Sequence, residues 1–123
     1  MSVTPSCHAL LIHEDDAYRK SLIATLDARH FAVTFATDSD EALQHLRAGN
    51  FRVILLGVSL QAKKGLKAAA FLHENRDVVK CGVIILGDPD PAIRTFAPWA
   101  DETLLKPVDP AYVAQRARVY CSC

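Results

Sequence analysis

The most informative stretch of the sequence is "VILLGVSL", Val53 to Leu60, in which an apolar run leads directly into a glycine. An uninterrupted apolar run of this length is typical of a strand that is covered on both faces, as in a parallel sheet. We predict a strand over 53–56 that ends at Gly57. A residue without a side chain therefore stands at the tip of a predicted central strand.

Short apolar runs alternate with helical patterns along the rest of the chain. The predicted strands are 9–12, 31–36, 53–56, 83–86 and 103–105, and the predicted helices are 17–28, 37–48, 65–73, 91–96 and about 110–120. This order requires right-handed crossovers and a parallel sheet with helices on both faces. The first, third and fourth strands are the most continuously apolar, so they belong in the centre. We predict one α/β domain over 1–123, with its core at about 8–120, as a flavodoxin-like (βα)5 doubly wound sheet of strand order 2-1-3-4-5.

The composition excludes several classes of partner. The chain has 123 residues, with 14 acidic residues against 14 lysines and arginines. This balance argues against nucleic acid or an anionic membrane surface, because both attract surplus positive charge. The apolar runs are far shorter than the roughly 20 residues of a membrane span. The N-terminal stretch lacks the pattern of a signal peptide, so we expect a cytoplasmic protein.

The four cysteines are expected to be reduced thiols, since no secretory signal supports a disulfide framework. They are Cys7, Cys81, Cys121 and Cys123. The terminal pair offers only two thiolates, whereas a structural zinc site takes four ligands. We therefore expect no metal and no cofactor.

Ligands of such a sheet bind beyond the carboxyl ends of the strands, at the switch point between the first and third strands. The residues at the predicted tips are His13, Glu14 and Asp15 after the first strand, Gly57 after the third, Gly87 and Asp88 after the fourth, and Lys106 and Pro107 after the fifth.

Four stretches carry a resemblance to a known family: "LLIHEDDAYRKSL", "FRVILLGVSLQAKKGL", "GVIILGDPD" and "ADETLLKPVD". Together they resemble the receiver domain of bacterial response regulators over nearly the whole chain. In that family two acids after the first strand hold Mg²⁺, and an aspartate at the third tip accepts a phosphoryl group. Thr or Ser ends the fourth strand, and Lys-Pro follows the fifth. The resemblance implies a signalling domain of a two-component system and not an enzyme.

The departures from the family pattern fall at the functional positions. Gly57 replaces the phosphoacceptor, His13 the first acid and Gly87 the hydroxyl residue, while Lys106 is retained. The resemblance thus implies a vestigial phosphorylation pocket, formed by His13, Glu14, Asp15, Gly57, Gly87 and Lys106. We expect the two glycines to face one cavity and Lys106 to pair with Glu14 or Asp15.

The main hypothesis is a phosphorylation-independent receiver domain that acts as a protein-interaction module. By resemblance, partners bind the face of the fourth helix, fifth strand and fifth helix, with candidate residues Trp99, Thr103, Pro107 and Tyr112. Trp99 is either an exposed anchor or packs against its own helix. A homodimer is left open.

Three alternatives stay open at this point. The vacated pocket could bind a small molecule or nucleotide. Ser59 or Asp88 could accept a phosphoryl group at an unconventional site, with His13 as the base for Ser59. His13, Glu14 and Asp15 could bind a transition metal.

Overall fold

The computed structural model describes residues 7–76 and 81–121. Its strands are β1 (Cys7–Ile12), β2 (Phe31–Ala36), β3 (Val53–Val58), β4 (Gly82–Gly87) and β5 (Glu102–Leu105). Its α-helices are α1 (Asp16–Ala28), α2 (Ser39–Ala48), α3 (Leu66–Glu74), α4 (Ala92–Phe96) and α5 (Pro110–Arg118), followed by a 3₁₀ turn at Val119–Cys121. The five strands form one sheet in the order β2-β1-β3-β4-β5. All neighbouring strands are parallel, which confirms the predicted fold and strand order.

The sheet separates two apolar cores. Successive side chains of a strand point to opposite faces, so Ile54 and Leu56 pack toward α2, α3 and α4. Leu55, between them in sequence, packs toward α1 and α5. The same alternation continues to the strand tips. It places Gly57 on the α1 and α5 side of the sheet.

Acidic residues start three of the helices, as their sequences indicate. The Asp15 carboxylate accepts a hydrogen bond from the Tyr18 amide at the start of α1. Asp38 and Asp109 cap α2 and α5 in the same way. Each cap satisfies an amide that has no partner within its helix.

The prediction that the third strand ends at Gly57 is wrong. β3 continues to Val58, because β4 offers paired positions alongside it: Gly57 is opposite Leu86 and Val58 is opposite Gly87. The backbone turns later, at Gly65, which has a φ of 76° and precedes α3. A side chain at Gly65 would also meet the Gly57 carbonyl, so this glycine is required for the turn.

The expectation of reduced thiols is wrong for two cysteines. Cys7 and Cys121 form a disulfide, with their Cα atoms 5.5 Å apart. The fold brings the start of β1 next to the end of the 3₁₀ turn, a proximity that the sequence separation hides. Cys81 is a free, half-buried thiol whose pKa is raised by burial to about 11. Cys123 lies outside the described residues.

None of the helices within 7–76 and 81–121 has the length and apolar character needed to cross a bilayer.

Candidate functional site

The tips of β1, β3 and β5 enclose a small pocket of about 170 Å³. It is lined by His13, Glu14, Asp15, Gly57, Ser59, Lys64 and Lys106. The structure therefore brings together five of the six residues that the resemblance assigned to the vestigial pocket. Gly87 is the exception, whereas Ser59 and Lys64 come from the loop after β3.

His13 is the most buried polar residue of this pocket, with 5% of its surface exposed. Its Nδ1 accepts a hydrogen bond of 3.1 Å from the Asp15 amide. A neutral imidazole that accepts at Nδ1 carries its proton on Nε2. That Nε2 is buried and has no hydrogen-bond partner among the described residues.

The His13 ring occupies the space where a side chain at position 57 would begin. A Cβ atom added to Gly57 would lie 2.7 Å from His13 Cδ2, a separation that Cβ atoms in proteins essentially never show, and 3.0 Å from His13 Cγ. A side chain at position 57 would therefore clash with the imidazole of His13, the residue that follows β1. The departures from the family pattern at His13 and at Gly57 thus belong to one packing contact.

The environment of His13 keeps the imidazole neutral. Its pKa is lowered from 6.5 to about 4, first by burial and then by the positive charge of Lys106. A charged imidazolium would have to lose its hydration in this position. Near pH 7 the strand tip thus presents an uncharged ring where the family places a carboxylate.

Gly87 does not face this pocket, so the expectation of one shared cavity is wrong. A Cβ atom at Gly87 would lie 2.5 Å from Cγ1 of Ile93, a buried residue of α4. Gly87 is opposite Val58 in the ladder and so points to the α2, α3 and α4 side. The missing side chain of position 87 is replaced by an α4 side chain.

The expected pairing of Lys106 with Glu14 or Asp15 is also wrong. Lys106 Nζ lies 3.4 Å from Asp88 Oδ1, and Glu14 pairs instead with Lys64, at 3.1 Å. A hydrogen bond from Ser59 and the charge of Lys106 hold the pKa of Asp88 below its usual range. Both lysines of the pocket are therefore already matched with carboxylates.

The residues present do not fit the Mg²⁺ ion of the family. Glu14 is engaged by Lys64, the Asp15 carboxylate caps α1, and Gly57 supplies no ligand. A hard cation needs several oxygen ligands, usually with one or two carboxylates among them. Within 7–76 and 81–121, no group of three His, Cys, Asp or Glu side chains is placed to hold any metal ion.

The geometry also argues against the two unconventional phosphorylation sites. His13 could serve Ser59 as a base only through a free ring nitrogen, but Nδ1 already accepts from Asp15 and Nε2 carries the proton. The Ser59 hydroxyl itself accepts a hydrogen bond of 3.1 Å from the Ala62 amide. Asp88 is paired with Lys106, and among the described residues it belongs to no group of three His, Cys, Asp or Glu side chains that could hold a metal.

A second cleft of about 290 Å³ adjoins the pocket and shares His13, Asp15 and Lys106 with it. Sequence reasoning missed Tyr18, which lines this cleft. The Tyr18 hydroxyl donates a hydrogen bond of 2.8 Å to the Val108 carbonyl, and burial raises its pKa to about 12. The only sequence signal for Tyr18 was its position in the first turn of α1, below the tip of β1.

The four candidate residues of the interaction face are not equally accessible. Trp99 is half-buried, packs against the core and stacks on His73 of α3, with the ring centroids 5.4 Å apart. It is therefore not an exposed anchor. Thr103 is half-buried on β5, and Pro107 is exposed. Tyr112 on α5 is 47% exposed and presents a large apolar surface.

Comparison with known protein families and sequences gives a consistent result. The family model described as the response regulator receiver domain matches residues 9–118. The transcriptional regulatory protein SrrA of Staphylococcus aureus is 25% identical over 109 residues, which cover 89% of this chain and 45% of SrrA. The chain thus spans less than half the length of the curated relatives it matches.

Solved structures show the same fold. A response regulator receiver domain from Bermanella marisrubri superimposes with a TM-score of 0.81 at 22% identity, covering 96% of this chain and 100% of that one. The response regulator TrrA of Thermotoga maritima, solved in complex with Mg²⁺ and beryllofluoride, gives a TM-score of 0.77 at 18% identity, with 93% and 98% coverage.

Proposed function

Since the chain belongs to the response regulator receiver family, we propose that it is a receiver domain that works without phosphorylation, as a protein-interaction module. Receiver domains of this family act in two-component signalling and interact with partner proteins. We propose that this chain differs from phosphorylated receivers in how it takes part in signalling. Its folded form, rather than a phosphorylated form, is the signalling-competent state.

The single observation that carries this proposal is the contact between His13 and Gly57. Phosphoryl transfer to a receiver needs a nucleophile at the tip of β3 and a metal to neutralise the developing charge. Gly57 has no side chain, and the His13 ring fills the space in which one would stand. Nucleophile and metal ligand are thus lost through one packing arrangement.

The ion pairs around the pocket support the same reading. Lys106 is the residue that in the family faces the phosphoryl group, and here it is 3.4 Å from Asp88. Its charge is therefore balanced without an added anion. These pairs are partly exposed and contribute little to stability, but they leave no surplus positive charge to attract a phosphoryl group.

The partner surface we propose is formed by β5 and α5, with the loop that joins them. Tyr112 is exposed on α5 and Pro107 is exposed in the loop. Tyrosine is a frequent anchor of protein interfaces because it combines a large apolar ring with a hydroxyl. Trp99 is excluded as the first anchor because it is packed on His73.

A small-molecule function is less well supported. The pocket of about 170 Å³ is smaller than the roughly 300–1,000 Å³ of usual ligand sites. Its carboxylates, from Glu14 and Asp15, also oppose the phosphate groups of a nucleotide. We therefore retain one proposed function.

Incubation with acetyl phosphate and Mg²⁺, followed by intact mass measurement, tests the proposal. We expect no added phosphoryl group on the wild-type chain or on Gly57→Asp, because the His13 ring blocks the new carboxylate. The matched variant His13→Asp/Gly57→Asp removes the ring and supplies two acids, so it is the variant in which labelling can return. A phosphoryl group on the wild-type chain would contradict the proposal. Labelling of Gly57→Asp alone would show that the His13 ring moves aside and does not block a carboxylate at position 57.

A further inference from the structure

The disulfide lies just outside the part of the chain that the family model matches. The match covers residues 9–118, and the bond joins Cys7 to Cys121 over a sequence separation of 114. Cys7 is 5% exposed, whereas Cys121 is half-buried. The bond therefore joins the two ends of the shared fold.

The bond ties the end of the 3₁₀ turn to a strand end that is paired on one side. Cys7 is opposite Phe31 of β2, while the ladder between β1 and β3 begins only at Ala9. The Arg118 guanidinium also lies 4.4 Å from the centroid of the Phe31 ring. The end of α5 thus contacts the start of β2, and the 3₁₀ turn contacts the start of β1.

The residue before Cys121 connects the same turn to β5. The Tyr120 hydroxyl donates a hydrogen bond of 2.5 Å to Glu102 Oε2, and Arg116 Nε donates one of 2.7 Å to Glu102 Oε1. The Tyr120 ring also covers Gly82, where a Cβ atom would overlap it. We call these three residues, Glu102, Arg116 and Tyr120, the Glu102 clamp.

We propose that Cys7 and Cys121 are a reversible redox site that controls whether the 3₁₀ turn and the Glu102 clamp stay attached to the sheet. The turn is only three residues long. Without the covalent bond its order depends on the clamp, on Arg118 and on the packing of Tyr120 and Cys121 against the core. The rest of the sheet has a large buried core on both faces, so we expect it to stay folded after reduction, although at a lower melting temperature. Reduction would therefore loosen the 3₁₀ turn and the Glu102 clamp while the rest of the domain stays folded.

The reaction is thiol–disulfide exchange with a dithiol reductant. A thiolate of the reductant attacks Sγ of Cys121, the more exposed of the two cysteines, and Cys7 leaves as a thiolate that takes up a proton. The second thiol of the reductant then displaces Cys121, which also becomes a thiol. The dithiol ends as a disulfide, so two electrons and two protons pass to the protein. A low-molecular-weight disulfide such as oxidised glutathione reverses the reaction.

One consequence rests on the proposed function. Glu102 begins β5, and Arg116 and Tyr112 lie on α5, so the clamp orders part of the proposed partner surface. In a domain without a phosphoacceptor, the redox state of Cys7 and Cys121 would then control how well ordered the partner surface is. The redox site itself is tested independently of any partner.

The first measurement is peptide mapping of the full chain after treatment with oxidised glutathione. We expect a Cys7–Cys121 linked peptide in the wild type and in the control variants Cys81→Ser and Cys123→Ser. Dithiothreitol should remove it and lower the melting temperature by roughly 10 °C. Cys7→Ser should show no dithiothreitol-dependent shift. Absence of the linked peptide, or its replacement by a Cys121–Cys123 link, would overturn the proposal.

Amide hydrogen exchange, compared with and without dithiothreitol, then tests the local character of the change. We expect faster exchange at 119–121 and at the start of β5, with β1, β3 and β4 still protected. Unchanged exchange at the turn, or an equal loss of protection over all five strands, would overturn it. A failure here leaves the phosphorylation result untouched, and labelling of the wild type by acetyl phosphate would leave this result untouched.

Discussion

Gly57 and His13 depend on each other, and this dependence can be measured by substitution. A Cβ atom at position 57 would lie 2.7 Å from His13 Cδ2, so we expect Gly57→Ala to lower the free energy of unfolding by about 1–3 kcal/mol. His13→Ala leaves room for the new methyl group. The double variant should therefore be less destabilised than the sum of the two single variants, by about 1 kcal/mol or more.

Chemical denaturation of the four proteins in this cycle gives the coupling energy. The control is the same cycle with His8→Ala, because His8 is exposed at the opposite end of β1. That cycle should be additive. If the Gly57 and His13 substitutions are additive as well, the His13 ring does not restrict the space for a side chain at position 57.

His13 also predicts how stability depends on pH. Its folded-state pKa is lowered from 6.5 to about 4, so between these values the unfolded state binds the extra proton. The stability that neutral His13 contributes to the folded state is fully present above pH 6.5 and is lost as the pH falls toward 4. We expect it to be on the order of 3 kcal/mol. The test compares unfolding free energies of wild type and His13→Gln from pH 7 to 4, with His8→Gln as the control. Parallel pH profiles for all three proteins would refute the prediction.

The sequence could predict that position 57 lacks a nucleophile, because that needs only the register of the family motifs. It could not predict what fills the position. That depends on the direction of the His13 ring and on the burial of the ring. The same limit explains the wrong partner for Lys106, since Asp88 reaches it from the tip of a different strand.

At the scale of elements, the Glu102 clamp sets how α5 meets β5. Glu102 accepts hydrogen bonds from Arg116 and Tyr120, and burial and the neighbouring carboxylate raise the pKa of Tyr120 above its ordinary value. We expect Glu102→Gln and Tyr120→Phe to be coupled by about 1 kcal/mol, the typical net value of an intramolecular hydrogen bond.

Thermal or chemical denaturation of the two single variants and the double variant measures this coupling, with the disulfide kept oxidised in all samples. Thr103→Val on the same strand is the control for a substitution outside the clamp, and it should not couple to Tyr120→Phe. Zero coupling between Glu102 and Tyr120 would mean that the turn is held by the disulfide and packing alone.

The elements themselves were largely predictable because apolar runs and acidic helix starts are local signals. β2 was predicted with its observed bounds, Phe31–Ala36. β3 was predicted too short, because a glycine was taken as a strand end, whereas β4 continues the ladder past it. The prediction that Gly87 faces the same cavity as Gly57 was wrong for a related reason. Whether the residues at two strand tips point to the same face of the sheet depends on the register between the strands.

For the whole molecule, the strand order followed from which runs were apolar throughout, and the structure confirms it. The Cys7–Cys121 bond could not be predicted in the same way. Its two residues are 114 positions apart, and only the folded sheet brings them together. The missing secretory signal had pointed to reduced thiols, but the compartment in which a protein folds does not show which cysteines lie close together.

Loss of the phosphorylation site can be tested by a titration of the amide chemical shifts, first with Mg²⁺ and then with Mg²⁺ and beryllofluoride, a mimic of the bound phosphoryl group. Thermotoga maritima TrrA, solved with that ligand, is the positive control. For this chain we predict no saturable shifts at 13–15, 57, 87 or 106, because His13 fills the acceptor position and the remaining acids are engaged. Saturable shifts at these strand tips would contradict the account, since they would show a working phosphoryl and metal site.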